Sequence, residues 1–182
     1  MPRFATLRVR SLFCLMVAAS FASSAISVRL GMAADELLKE SALPFNMADK
    51  AVHAALEACK KDGYRVSATV VDRSGQIRAM GRADGAGPHT IDSSRKKAYT
   101  AASLRRATTE LAELVNRMGT LQALRDMNEH ILMLGGGLPI EIGGDIVGGI
   151  GVGGAPGSHL DDSCAQAGLD AIGAAPKVPA SK

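Results

Sequence analysis

Glycine recurs at short intervals through the segment that runs from Leu134 to Ala174, LGGGLPIEIGGDIVGGIGVGGAPGSHLDDSCAQAGLDAIGA. Two parts of this segment otherwise have the apolar character of β-strands. Glycine weakens a strand because it has no side chain to pack, and it occurs there mainly where another backbone approaches closely. We therefore predict that these strands lie directly against a helix or against a second subunit.

Part of the same segment, Gly149-x-Gly151-x-x-Gly154, has the letters of the dinucleotide-binding fingerprint. That fingerprint must open a helix that leads to a second parallel strand, which carries an acidic residue. Here the candidate acid, Asp170, lies within the predicted helix instead. The glycines are therefore expected to serve close packing, and no nucleotide cofactor is predicted.

Periodicity and turn residues predict helices and hairpins in alternation along the chain. The first predicted helix runs from its N-cap Asn46 to Asp62, and a hairpin of Arg65–Asp72 and Gln76–Arg82 follows. Helices are then predicted over Thr90–Arg105 and Thr108–His130, with breaks near Ala107 and Gly119. A second hairpin of Leu138–Ile142 and Asp145–Val152 leads to a last helix, which opens with a Ser158/Asp161 capping box. This order predicts an α+β fold, in which helices pack against an antiparallel sheet.

The N-terminal residues have the pattern of a secretory signal peptide. Arg3, Arg8 and Arg10 precede the apolar run SLFCLMVAASFA, and small residues suitable for cleavage follow. A run of about 12 residues is too short to cross a bilayer as a helix. We expect residues 1–34 to be signal peptide and short leader, and residues 35–182 to form one domain that is periplasmic or secreted, without a stable membrane anchor.

Charge gives no sign of a nucleic-acid partner. The formal net charge of the whole chain is +3, but residues 1–34 hold four of its 21 basic residues and none of its 18 acidic ones. The remainder is therefore close to neutral, and nothing in it resembles a basic surface for nucleic acid or anionic lipid.

Two cysteines lie in the predicted domain, and both fall on apolar helix faces. Cys59 follows Val52 and Leu56 in the first helix, and Cys164 follows Leu160 in the last. Core thiols are the interpretation that this placement favours. One disulfide is the alternative in an oxidising compartment, if the two helices pack side by side.

The glycine-rich segment, together with VVDRSGQIRAMGRADGA and KKAYTAASLRRAT, resembles the GlcG/HbpS family from about Asn46 to Gly173. Members of that family include small haem-binding proteins and the C-terminal domain of PduO-type corrinoid adenosyltransferases. The resemblance implies a profilin-like layered architecture with a sheet of about five strands flanked by helices. It also implies haem as cofactor and assembly into a homo-oligomer.

His89 is the strongest candidate for a haem-iron ligand. It follows the rigid Pro88 and precedes the basic run Arg95-Lys96-Lys97, which suits the carboxylates of an anionic tetrapyrrole. The alternative is a solvent-exposed histidine at the start of the following helix. The other three histidines, His53, His130 and His159, have simpler explanations at helix boundaries and ends.

Arg95, Lys97 and Tyr99 are the candidate residues for binding haem propionates or another carboxylate. With Arg105 and Arg106 they are expected to form one basic helix face, although such a face is more often merely solvated. Aromatic residues are scarce after residue 34, so a haem would have to rest on aliphatic side chains. The candidates for that role are Met80, Met118, Met127, Ile131 and Met133.

Local sequence shows no motif that demands an enzyme: there is no GxSxG elbow, no paired-carboxylate signature and no P-loop. Haem degradation is open through the family resemblance alone, and no catalytic residue is assigned. The leading hypothesis is an exported homo-oligomer that binds haem reversibly. The alternatives are a module for a small organic acid or corrinoid, and an interaction or signalling partner without a ligand.

Overall fold

The computed structural model describes residues 39–174, so the predicted signal peptide lies outside the described part. The elements are α1 (Phe45–Lys61), β1 (Ser67–Asp72), β2 (Ile77–Arg82), α2 (His89–Leu104), α3 (Thr108–Arg117), a short 3-10 helix (Gly119–Arg125), β3 (Gly137–Ile142), β4 (Asp145–Gly153) and α4 (Ser158–Ala171). No helix among these residues is both long and apolar enough to cross a membrane.

The predicted α+β fold is confirmed, with an open antiparallel sheet flanked by helices. The strand order is β2-β1-β4-β3, so the two hairpins lie side by side and meet where β1 pairs with β4. The sheet of residues 39–174 has four strands, and the expected count of about five was wrong by one. Each of the two hairpins contributes two strands, and the rest of the described chain is helix or loop.

Alternate residues of β1 face two different helical layers. Ala68 and Val70 belong to the main hydrophobic core, which the sheet forms with α1 and α4. The hydroxyls of Ser67 and Thr69 point to the other face, where they hydrogen-bond α2. This alternation follows from the two-residue repeat of a strand and gives a helix–sheet–helix arrangement.

A disulfide between Cys59 and Cys164 joins α1 to α4 within the main core. The expectation of two core thiols was therefore wrong, although both residues are buried as expected. The reason is that α1 and α4 pack side by side on the same face of the sheet, which brings the two Cα atoms to 5.5 Å. That separation lies in the normal range for a disulfide.

Helix α2 packs on the opposite face of the sheet, against glycines of β4. A Cβ atom at Gly149 or Gly151 would lie within 3.0 Å of backbone atoms of α2. At Gly151 those atoms are the carbonyl oxygen of Ser94 and the amide nitrogen of Ala98. The prediction that these glycines permit a helix to approach the strand closely is confirmed, and it accounts for the fingerprint-like spacing.

A second, smaller core lies between α3 and the segment that follows the 3-10 helix. Its buried members are Leu111, Val115, Ile131 and Met133. The break predicted near Gly119 is confirmed, because Met118 is extended and ends α3 at Arg117. The helix expected to continue from this break to His130 is instead a 3-10 helix that ends at Arg125.

The caps predicted for α1 and α4 also differ from the structure. Pro44, and not Asn46, occupies the N-cap of α1, and its carbonyl oxygen accepts hydrogen bonds from the amides of Met47 and Ala48. Gly157 occupies the N-cap of α4, and no side chain caps that helix. The expected capping box is absent because the Asp161 carboxylate bonds elsewhere, as described below.

We expect Gly151→Ala to destabilise the protein by roughly 1–3 kcal/mol, since the new methyl group overlaps backbone atoms of α2 and overpacking costs about that much. Urea unfolding monitored by circular dichroism measures the change. Gly119→Ala is the matched control, because nothing lies within 4 Å of a Cβ atom there. Equal unfolding midpoints for both variants would contradict the close approach of α2 to β4.

Candidate functional site

The four predicted site residues, His89, Arg95, Lys97 and Tyr99, all lie on α2. They do not share one face. With 100° between successive residues, His89, Arg95 and Tyr99 fall on the side away from the sheet, whereas Lys97 faces it. Burial agrees, since His89 is exposed, Arg95 and Tyr99 are half-buried, and Lys97 is buried.

Lys97 lies in the protein interior, where only 2% of it is exposed. Its ammonium group donates hydrogen bonds to the Asp161 carboxylate at 2.7 Å and to the Val152 carbonyl oxygen at 2.9 Å. The expected single basic face was therefore wrong. Arg105 also leaves that face, because it adopts a left-handed conformation (φ 55°) at the end of α2.

Asp161 and Asp162 are buried functional groups that sequence reasoning missed. Besides Lys97, Asp161 accepts a hydrogen bond from the amide of Ala155, while Asp162 accepts from the amide of Gly136 and the hydroxyl of Thr109. The two carboxylates thus join α2, α3 and α4 to the glycine turn before β3. A signal was available, because Lys97 has the same helical phase as the buried residues Ser94 and Ala101.

Burial raises the pKa of both Asp161 and Asp162. The Lys97 ammonium group and the backbone amides at Gly154 and Ala155 act in the opposite direction on Asp161, with smaller effect. The carboxyl groups of Asp161 and Asp162 therefore hold their protons more tightly in the folded state than in the unfolded chain. The two groups stabilise the fold most below about pH 4, and this contribution is lost as the pH rises through their folded pKa values.

Arg95 lies at the centre of a polar cluster on the outer side of α2. Its guanidinium group contacts the Asp92 carboxylate at 3.0 Å and Nδ1 of His130 at 3.2 Å. Arg95 lowers the pKa of Asp92 through that hydrogen bond. The imidazole of His130 also meets the ring of Tyr99 edge-on, with the ring centres 5.2 Å apart. The fold therefore joins predicted residues Arg95 and Tyr99 to His130, which had been explained as a helix-end residue.

His89 is the first residue of α2, and not the last residue of the preceding loop as predicted. Its ring lies over Gly87, where a Cβ atom would be 2.6 Å from Cε1 of the imidazole. Gly87 belongs to the loop that connects β2 to α2. Among residues 39–174, His89 has no hydrogen-bond or ion-pair partner, so both ring nitrogens are available to a ligand.

An open surface lies between α2 and the edge strand β2, and we call it the α2–β2 surface (Ile77, Met80, Arg82, Ile91 and Arg95). Met80 pairs with Thr69 and Arg82 with Ser67, so both share the sheet face on which α2 packs. The ring of Tyr99 contacts Gly75 in the β1–β2 turn, which identifies the flank of α2 that faces this hairpin. Ile91 and Arg95 precede Tyr99 by two turns and one turn on the same flank.

The α2–β2 surface combines exposed apolar side chains with cations. Ile77 is 48% exposed, Met80 37% and Ile91 38%. Arg82 donates to the carbonyl oxygen of Ala86, which turns it towards the loop that precedes His89. This surface can hold a flat apolar molecule that carries carboxylates, since arginine binds carboxylates through paired hydrogen bonds.

The aliphatic residues proposed to support a haem do not come together. Met80 lies on the α2–β2 surface, Ile131 and Met133 are buried in the second core, and Met118 and Met127 are exposed near the 3-10 helix. Of that set, Met80 alone belongs to the surface beside α2. No cluster of three or more metal-ligating side chains occurs within the described range.

A separate depression of about 110 Å³ lies next to the β1–β2 turn. It is lined by residues that include Glu40, Asp72, Arg73 and Val147. Pockets for drug-sized ligands typically have volumes of about 300–1,000 Å³. This depression is therefore too small for a tetrapyrrole.

Comparison with known proteins identifies a family model, described as haem degrading protein HbpS-like, that matches residues 43–170. Among curated proteins, an uncharacterised 15.0 kDa protein of Citrobacter freundii is 39% identical over 87 residues, which span 47% of this chain and 61% of that protein. Protein GlcG of Escherichia coli K12 is 34% identical over 106 residues, which span 58% of this chain and 77% of GlcG.

Two solved structures resemble the fold closely. A double mutant of HbpS from Streptomyces reticuli is 43% identical with a TM-score of 0.70, and the match covers 75% of this chain and 90% of HbpS. A structure described as a PduOC:heme complex is 27% identical with a TM-score of 0.69, and the match covers 74% and 98% of the two chains.

We expect Asp161→Ala to destabilise the protein by about 3–5 kcal/mol, because it leaves the buried Lys97 ammonium group and the amide of Ala155 without their carboxylate acceptor. Chemical denaturation at pH 7 measures the loss. Asp170→Ala, at an exposed position on the same helix, should change stability by less than about 0.5 kcal/mol. A cost for Asp161→Ala as small as that control's would show that the Asp161 side chain does not hold Lys97 and Ala155 through these hydrogen bonds.

Proposed function

Because the chain belongs to the HbpS-like family of haem degrading proteins, we propose that it is an exported protein that binds haem reversibly as a homo-oligomer. The solved complex of PduOC with heme supports haem as the ligand, since that protein has the same fold. Bound haem supplies an iron centre that can change ligands and oxidation state.

The observation that carries the proposal is the chemical character of the α2–β2 surface. Haem is a flat apolar macrocycle with two carboxylates at one edge. The surface offers exposed Ile77, Met80 and Ile91 as an apolar bed, with the arginines Arg82 and Arg95 beside it. The apolar bed and the arginines therefore fit the macrocycle and its carboxylates, whereas the proposed iron ligand His89 begins α2 on another side of that helix.

Each predicted site residue has a distinct role in this proposal. His89, exposed and without a partner among the described residues, is the proposed iron ligand. Arg95 binds a propionate, and Tyr99 shapes the end of the site next to Gly75. Lys97 contributes indirectly, because its ammonium group already pairs with Asp161 and fixes α2 against β4.

The open shape of the surface supports a role for a second subunit. A macrocycle that lies on α2 and β2 leaves its other face in water, and burying that face is favourable. A second copy of the chain placed over the ligand would supply this burial. We therefore propose that the oligomer and the haem site are linked.

The Cys59–Cys164 disulfide supports export. Disulfides persist in the periplasm and outside the cell, whereas the cytosol keeps most thiols reduced. Both cysteines are buried between α1 and α4, so this bond is part of the core. Together with the predicted signal peptide, it favours a periplasmic or secreted location.

We expect the purified protein without residues 1–34 to give a saturable, shifted Soret band when titrated with ferric haem. His89→Ala should abolish that shift or weaken binding by about tenfold or more, since it removes the proposed iron ligand. His159→Ala is the control, because His159 is also exposed and at the start of a helix. Light scattering on the same samples reports whether the mass rises in whole multiples of the chain.

Different results of this titration would replace parts of the proposal. An unchanged Soret shift in His89→Ala moves the iron ligand, with Met80 next in line on the α2–β2 surface. No saturable shift in the wild type rejects haem. Thermal stabilisation by glycolate would then favour an organic-acid module, and no response to either ligand would favour a partner protein without a ligand.

Export predicts that the full chain, expressed in a bacterium, accumulates outside the cytosol with both cysteines unreactive to a thiol reagent until a reductant is added. The paired variant Cys59→Ala/Cys164→Ala should lose about 2–5 kcal/mol of stability, as removal of a native disulfide usually does. Cell fractionation and denaturant unfolding measure the two effects. Reactive thiols in protein from the periplasm would contradict the disulfide.

A further inference from the structure

The contact between Arg95 and His130 fixes the protonation state of the imidazole. The guanidinium Nη1 lies 3.2 Å from Nδ1 of His130. Arginine has donors and no acceptor, so Nδ1 must accept the hydrogen bond through its lone pair. In this arrangement His130 is therefore neutral, and its proton is on Nε2, which lies 3.6 Å from the Glu129 carboxylate.

A second proton on His130 is incompatible with that contact. Protonation at Nδ1 removes the acceptor and places an imidazolium next to a permanent cation. The charged groups around the ring are Arg95 and Lys96, both paired with Asp92 on α2, and Glu129 on the ring's own segment. Tyr99 faces the ring edge-on from α2.

A carboxylate that binds between Arg95 and His130 makes the doubly protonated form of His130 favourable. Placed between Arg95 and His130, it accepts a hydrogen bond from the guanidinium group and another from the protonated imidazole. Arg95 has about 30% and His130 about 36% of its side chain exposed, so a ligand can reach both. Histidine changes charge between pH 5 and 8, which makes such coupling effective near neutrality.

We propose that Arg95 and His130 form a carboxylate site in which ligand binding is coupled to uptake of one proton by His130. This rests on the proposed function in one respect, namely that the carboxylate is a haem propionate. The proton comes from solvent, and the ligand replaces the direct hydrogen bond between the two side chains. The affinity for haem then rises as the pH falls, and His130 makes the site specific for ligands that carry a carboxylate.

The test compares ferric-haem affinity of the wild type and His130→Asn between pH 8.0 and 5.5. Asparagine keeps an acceptor near the position of Nδ1 but cannot take up a proton. Because both proteins contain His89, any pH dependence that His89 itself introduces is the same in both and drops out of the ratio of their dissociation constants. We expect a ratio near one at pH 8.0 and roughly tenfold tighter binding by the wild type at pH 5.5, the worth of one charge-assisted hydrogen bond.

Two controls test whether the pH effect depends on the contact between Arg95 and His130. His53→Asn changes an exposed histidine on α1 and should leave the pH profile as in the wild type. In an Arg95→Gln background, His130→Asn should have no further effect on the profile, because the partner is already missing. A pH-independent ratio for His130→Asn, or a ratio that persists in Arg95→Gln, overturns the proposal.

Nitrogen NMR of the imidazole side chains provides a readout without haem. At pH 7.5 we expect His130 to carry its proton on Nε2 alone, and succinate to shift it towards the doubly protonated form in the wild type but not in Arg95→Gln. No response to succinate overturns the carboxylate site. If haem fails to bind at any pH while succinate still protonates His130, the haem proposal fails and the carboxylate site stands.

Discussion

The contact between α2 and the glycine face of β4 determines where every other part of the site can lie. Gly149 and Gly151 allow the helix backbone to rest directly on the strand, a distance that any side chain would increase. The hydroxyls of Ser67 and Thr69 then reach Thr90 and Ser94. Because the helix lies over β1, β4 and β3, it leaves β2 uncovered, and the α2–β2 surface is the result.

Local pattern was sufficient to predict most of the fold. The hairpins follow from Gly75 and Gly143-Gly144 between alternating apolar residues, and α1 follows from apolar residues three and four positions apart. The close approach of a helix was visible in the glycines of β4. The count of strands was wrong because it came from resemblance. The helix expected between the break near Gly119 and His130 was wrong, because only a 3-10 helix that ends at Arg125 forms there.

The interior pairs could not be predicted, because they depend on which faces of distant elements meet. Cys59 and Cys164 were recognised as core residues, but their bond requires α1 and α4 to be neighbours. Lys97 is 64 residues from Asp161, and a lysine within a basic run is usually solvated. The meeting of Arg95 with His130 likewise depends on a loop whose path has no short-range signal.

The disulfide has a mechanical consequence for the domain. It joins the first and last helices across 105 residues, so the whole sheet, α2 and the second core lie inside one covalent loop. Tension applied at residues 39 and 174 can extend only the segments outside that loop, which are nearly all of α1 and the half of α4 that follows Cys164. The strands and α2 lie within the loop, so the force passes from Cys59 to Cys164 through the disulfide and not along the chain that forms the ligand surface.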